Sequence, residues 1–156
     1  MVPEKVSRVL AAHGLEVLEF EPGSTPTAEM AAARIGVETA RIAKSLLFRD
    51  KDGRYVMVVC PGDKRIPSSA LKRAAGAKLS MTDAEETERV TGFRPGGVCP
   101  FGITGVEILL DVELGRYSTI YPAAGTDATG VPMTLDQLAT ITGGRLVDFA
   151  EGGGRG

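Results

Sequence analysis

The chain has 156 residues, a net charge of −2 and a composition 43% hydrophobic and 24% charged, which fits one globular domain and excludes global disorder. Aromatic residues are only 5%, with no Trp, which argues against a stacking platform for single-stranded nucleic acid. The pI near 5.5 excludes an overall basic coat but leaves room for a local basic face.

In chain order, a helix is predicted over residues 3–13, with Pro3 as its first residue, Val6, Val9 and Leu10 on its apolar face and Gly14 at its end. Residues 15–20 read as a strand and 21–26 as a loop. Thr27 caps an Ala-rich helix that stops at Gly36. Two apolar runs, 42–49 and 54–60, flank Asp50-Lys51-Asp52-Gly53 and predict a hairpin. A helix follows over 68–75, closed by Gly76, and then a short strand over 78–81. Thr82-Asp83-Ala84-Glu85 reads as a capping box for a helix ending at Gly92. Residues 93–102 form a Gly/Pro loop, and 106–110, 118–121 and 130–133 read as strands. Thr134-Leu135-Asp136-Gln137 opens a helix to Thr142, and 145–149 is the last strand. The expected fold is α+β: one compact domain over residues 1–150, a mixed, largely antiparallel, barrel-like sheet with flanking helices, and a disordered Gly-rich tail at 151–156.

The opening Met1-Val2-Pro3-Glu4-Lys5 lacks the apolar core of a signal peptide. The longest uncharged run, residues 95–106, is short and full of Gly and Pro, so no membrane association is expected. Cys60 and Cys99 alone give no disulfide framework, and a cytoplasmic location is expected. Charge is uneven. Residues 34–78 hold 11 Lys or Arg against four Asp or Glu, and Lys64, Arg65, Lys72, Arg73 and Lys78 have no acid between them. This is either a solvated helix face or a face for a polyanion.

Familiar catalytic machinery is missing. His13 is the only histidine, at a predicted helix end, and no Gly-x-Ser-x-Gly elbow accompanies it. One His and two distant Cys do not make a zinc site, and no dinucleotide or Walker loop is present, so no cofactor is expected. Two features remain. Lys44 sits inside the apolar run Ile42-Ala43-Lys44-Ser45-Leu46-Leu47-Phe48, where alternation puts it on the face of Ile42 and Leu46. Such a lysine is either an edge residue in solvent or the partner of an anion. The second is Gly92-Phe-Arg-Pro-Gly96-Gly97-Val98-Cys99-Pro100-Phe101-Gly102. Two adjacent glycines between prolines make either a tight connection or a stiff loop presenting N–H groups to a phosphate or oxyanion. Cys99 has no activating His nearby.

Ala43-Lys44-Ser45-Leu46, the hairpin after it, the helix ending Val90-Thr91-Gly92 and the Gly96-to-Gly102 loop together resemble the YbaK/ProX family over about residues 3–149. The resemblance implies an aminoacyl-tRNA deacylase of a kind also found as the editing insertion of bacterial prolyl-tRNA synthetases. It implies that Lys44 anchors the terminal nucleotide. It implies that Gly96 and Gly97 supply N–H groups to the aminoacyl carbonyl, within a loop running to Pro100. Phe20, Val98 and Phe101 would size the side-chain pocket, with Thr27, Ser45, Cys99, Pro100, Ala123 and Gly125 as further substrate contacts. Phe20 stands where some members carry Tyr, Ala123-Ala124-Gly125 where one branch has Ser-Gly-Gly, and Gly130 where that branch has Asp. The expected function is hydrolysis of the ester of misacylated tRNA, Cys- or Ala-tRNA(Pro), without a metal or a side-chain nucleophile. The expected partners are the aminoacylated 3′ end of tRNA, with Lys64, Arg65, Lys72, Arg73 and Lys78 on its phosphates, and a prolyl-tRNA synthetase. The alternative is a non-catalytic module of the same fold that binds tRNA or a synthetase.

Overall fold

The computed structural model describes residues 1–150; the expected tail at 151–156 lies outside the described residues. The hairpin is the centre of the fold. β2 (Ile42–Arg49) and β3 (Tyr55–Pro61) pair antiparallel from Ala43↔Pro61 to Arg49↔Tyr55. The turn is held by Asp50, whose carboxylate accepts the Asp52 and Arg54 N–H groups, each at 2.9 Å. β5 (Val106–Asp111) lies parallel to the far side of β3, and β8 (Arg145–Val147) lies parallel to β5. On the outer edge of β2 sit two short strands. β6 (Tyr121–Pro122) runs parallel to Ile42–Ala43, and β4 (Ser80–Met81) runs antiparallel to Phe48–Arg49. A separate two-stranded piece joins β1 (Leu18–Glu19) to β7 (Thr129–Gly130). The expected α+β class and mixed sheet are observed. The barrel-like closure is not: the sheet is an open path from β4 through β2, β3 and β5 to β8, because among the described residues no strand joins its ends.

Period-two alternation sorts the core. Met57 and Val59 of β3 face one side of the sheet, with Ala43, Leu47, Phe93 and Phe101, and with Val6 and Leu10 of α1 (Glu4–Ala12) and Leu138 of α5 (Leu135–Thr142). Val56, Val58 and Cys60 face the other, with Phe48, Leu109, Phe149 and Ala70 and Leu71 of α3 (Ser68–Ala75). α2 (Ala28–Ile35) puts Ala31 and Ala32 against Ile42. Among the described residues no helix is long and apolar enough to cross a membrane.

Local signals placed most elements and misplaced some ends. Thr27 and Thr134 cap α2 and α5 as expected, and Thr134 and Gln137 complete a capping box. Pro3 lies one residue before α1 rather than inside it. The cap of α4 (Ala84–Thr91) is Asp83, which accepts the Glu86 N–H at 2.8 Å. Thr82 is drawn away from that role by the Leu47 carbonyl, which takes its N–H at 3.0 Å and its hydroxyl at 3.1 Å. The expected strands at 15–20, 78–81, 118–121 and 130–133 shrink to two-residue pairings, with Ile120 and Met133 in a bridge.

One ion pair ties the end of β5 to the loop after β3. Lys64 Nζ lies 2.8 Å from Asp111 Oδ2 and 3.6 Å from Glu113, with side-chain exposures of 18% for Lys64 and 1% for Asp111. Burial works to lower the Lys64 pKa, but the Asp111 hydrogen bond and the two carboxylate charges outweigh it, and the net shift is upward. Removing the cation would leave a buried carboxylate uncompensated. Lys64→Ala is therefore expected to cost about 3–5 kcal/mol, seen as a fall in Tm of roughly 6–20 °C. A melting curve that overlays the parent's would show that the pair does not support the fold.

Candidate active site

Between β6 and β4 the outer edge of β2 has no strand partner over residues 44–47. A cavity of about 340 Å³ opens there. Its floor is Lys44 to Leu47 and its walls are the start of α2, the 25–26 segment, Met81 and Thr82, Thr87 of α4, and Pro95, Gly96 and Val98 of the glycine loop. Tyr121, Ala123 and Thr129 complete it. The lining is mostly small and apolar, as ligand pockets are.

Lys44 is the only charged residue in that lining. It stands opposite Cys60 in the hairpin and is half-buried. Among the described residues no carboxylate comes within ion-pair distance of it, in contrast to Lys64. An unpaired cation in an apolar recess is costly unless an anion or water meets it. Beside it are polar groups without partners. The Ser45 and Thr25 hydroxyl oxygens are buried and make no hydrogen bond, a deficit of about 1–3 kcal/mol each until something satisfies it. The Leu47 carbonyl points outward to Thr82, so by strand alternation the Ser45 N–H and C=O also point into the gap, where no strand pairs with them.

The glycine loop reaches the cavity by close packing. A Cβ on Gly96 (φ +89°) would lie 3.0 Å from Pro26 Cα, and one on Gly97 would lie 2.8 Å from the Gly125 carbonyl. Gly97 therefore clasps the 125–126 backbone. Its N–H donates to the Arg94 carbonyl at 3.0 Å. Phe93, Cys99 and Phe101 are core anchors under the loop. Burial pushes the Cys99 thiol up to about 12 and the Cys60 thiol up to about 11, against the nucleophile's need for a thiolate. Lys5, which the sequence did not single out, holds the loop from α1. Its ammonium donates to the Thr91 carbonyl at the end of α4 and lies 4.5 Å from the Phe93 ring centre, while its stem packs beside Gly102.

Of the residues expected to meet the substrate, Thr27, Lys44, Ser45, Gly96, Val98 and Ala123 line one cavity. Gly97 and Gly125 line a separate cleft, with Arg94 and Asp127. Cys99, Pro100 and Phe101 are buried away from the cavity lining. Phe20 is also outside it, with its ring 4.6 Å from the Arg34 guanidinium, which in turn pairs with Glu21. Of the expected basic contacts, Lys64 is committed to Asp111, Arg65 and Arg73 are exposed, and Lys72 and Lys78 line a second cleft. The sequence reading missed Thr25, Ala28, Ala31, Leu47, Thr87 and Thr129. Only the run of small residues in α2 hinted that something must fit beside it. Among the described residues no three His, Cys, Asp or Glu side chains converge as metal ligands would.

The chain as a whole is similar to known proteins. The chain is 39% identical to the uncharacterized protein YwhH of Bacillus subtilis over 128 residues, 81% of each chain. It is 27% identical over 147 residues to EbsC of Enterococcus faecalis, named a "putative Cys-tRNA(Pro)/Cys-tRNA(Cys) deacylase", covering 91% of this chain and 90% of that one. It superposes with a TM-score of 0.83 and 31% identity on a crystal structure described as a "putative trans-editing enzyme for prolyl tRNA synthetase", covering 95% of this chain and 98% of the other. The family model for the aminoacyl-tRNA editing domain matches residues 22–141, and the chain belongs to that family, the YbaK family.

Proposed function

We propose that the protein is a free-standing trans-editing hydrolase that cleaves the ester between a wrong amino acid and the 3′ adenosine of tRNA, with Cys- or Ala-tRNA(Pro) as substrate. The observation that carries this is Lys44, a cation without a counter-ion among the described residues, in a notch whose other walls are mostly small and uncharged. The names of EbsC and of the trans-editing structure support the substrate class.

In this reading Lys44 holds the negatively charged nucleotide end. The aminoacyl group enters the recess bounded by Ala28, Ala31, Leu47, Val98 and Ala123, whose dimensions suit a short side chain. The outward Ser45 N–H and the Gly96 N–H would donate to the carbonyl oxygen and steady the charge that develops on it. No carboxylate or imidazole lines the notch, so no side chain there is a general base. Water attacks the carbonyl carbon, oriented directly or through the ribose 2′-hydroxyl, the ester bond to the ribose breaks, the amino acid leaves with the water's oxygen, and the ribose oxygen takes the proton. Holding an already labile ester in line with these donors supplies the acceleration. A prolyl-tRNA synthetase is the proposed source of the mischarged tRNA.

Lys44→Ala should leave Tm unchanged and reduce deacylation at subsaturating tRNA by about 10²–10³-fold, within the usual cost of removing the cation from a recessed charge pair. Near-parent hydrolysis by the folded variant would remove Lys44 from the mechanism. A parent protein that binds mischarged tRNA and hydrolyses none of a full panel would instead be the non-catalytic module.

Cys99→Ala should keep most of the activity, because a buried thiol with a raised pKa cannot act as nucleophile. Capture of an acyl group on Cys99 would reverse this assignment. EDTA should leave the rate unchanged, and a zinc-restored loss would show a metal requirement.

A further inference from the structure

A second cleft, of about 620 Å³, adjoins the notch across β4. Ser80 lines the cleft and Met81, the next residue, lines the notch, so the two cavities share this strand as a wall. Four cations face the cleft: Arg49, Lys51, Lys72 and Lys78. Arg49 is paired with Glu86 at 3.3 Å. The three lysines are exposed and, among the described residues, none has an ion-pair partner. Two acids share the cleft. Asp50 is already engaged by the turn amides and by Arg54 at 3.2 Å, which leaves Asp52 as the free negative charge.

We propose that this cleft seats the backbone phosphates of the single-stranded nucleotides that immediately precede the aminoacylated adenosine. The proposal rests on the deacylase reading and adds to it a path for the chain. Lys44 and Arg49 are five residues apart on one strand, about 17 Å at ~3.3 Å per residue. That is a span of a few nucleotides and far less than a stem. Met81 stands on the ridge between the cavities, 60% exposed, where its thioether offers an apolar, polarisable surface to a base crossing from one to the other. The cleft thereby replaces the broader 64–78 face: Lys72 and Lys78 stay in it, Lys51 joins, and Lys64 leaves because Asp111 holds it.

The test compares the parent with the double variant Lys72→Ala/Lys78→Ala on three substrates carrying the same aminoacyl ester: full tRNA, a 3′-terminal trinucleotide, and adenosine alone. At 0.1 M salt each lost phosphate contact should raise KM about fivefold on the first two, and the slope of log affinity against log salt should flatten by about 0.7 per contact. KM and kcat on aminoacyl-adenosine should not move. Loss confined to full tRNA would put the cleft on the stem and overturn the proposal, and so would equal loss on all three substrates. Fluorescence anisotropy with the uncharged trinucleotide gives a readout that needs no hydrolysis. Unchanged binding by the double variant overturns the proposal. Weakened binding by a protein that cleaves no ester keeps the cleft and removes the deacylase reading. Displacement of the trinucleotide by inorganic phosphate at constant ionic strength would mark a free-phosphate site instead and overturn it.

Discussion

A strand inside a sheet satisfies its backbone from both sides. β2 does so along its whole length against β3, but on its outer side only at the two ends, against β6 and β4. The rest of the molecule is arranged around this interruption. The loop that leaves β4 spends Thr82 on the Leu47 carbonyl, which closes the gap at one end. β6 closes it at the other, where Pro122 brings no N–H of its own. What remains is a short length of unpaired backbone with a lysine in it, roofed by α2 and the glycine loop.

The roof is positioned by packing rather than by hydrogen bonds to the site. Gly96 rests on Pro26 and Gly97 on Gly125, so the loop's height above the strand is set by the absence of two side chains. Lys5 fixes the other flank from α1, bonding the carbonyl end of α4 and covering Phe93. Lys5 and the loop it steadies lie nearly ninety residues apart in the chain, and Lys5 does this from outside the cavity lining.

The hairpin, the caps at Thr27 and Thr134 and the buried run of β3 were legible in the sequence because their signals are local: turn residues, cap spacing and period-two alternation. The two-residue strands were not, since so short a pairing has no period and depends on where a distant strand lies. Lys44 stood out because a charge in an apolar run is a local anomaly. The surroundings of Gly97 and Phe20 were not legible, as their partners, Gly125 and Arg34, meet them only in three dimensions. Charge arithmetic failed in the same way at Lys64. It counts cations along the chain and cannot see that Asp111, far off in sequence, has already claimed one.

The unpaired length of β2 has a meaning beyond catalysis. An exposed strand edge is a template on which another molecule's strand can add, the usual route to sheet-mediated aggregation. Here the vacant edge is kept short by its two flanking strands, recessed beneath α2 and the loop, and charged at Lys44. A second strand settling there would have to bring an anion or desolvate the ammonium. The residue proposed to hold the nucleotide is thus also a guard against self-association, and a bound 3′ end would cover the edge that the fold leaves open.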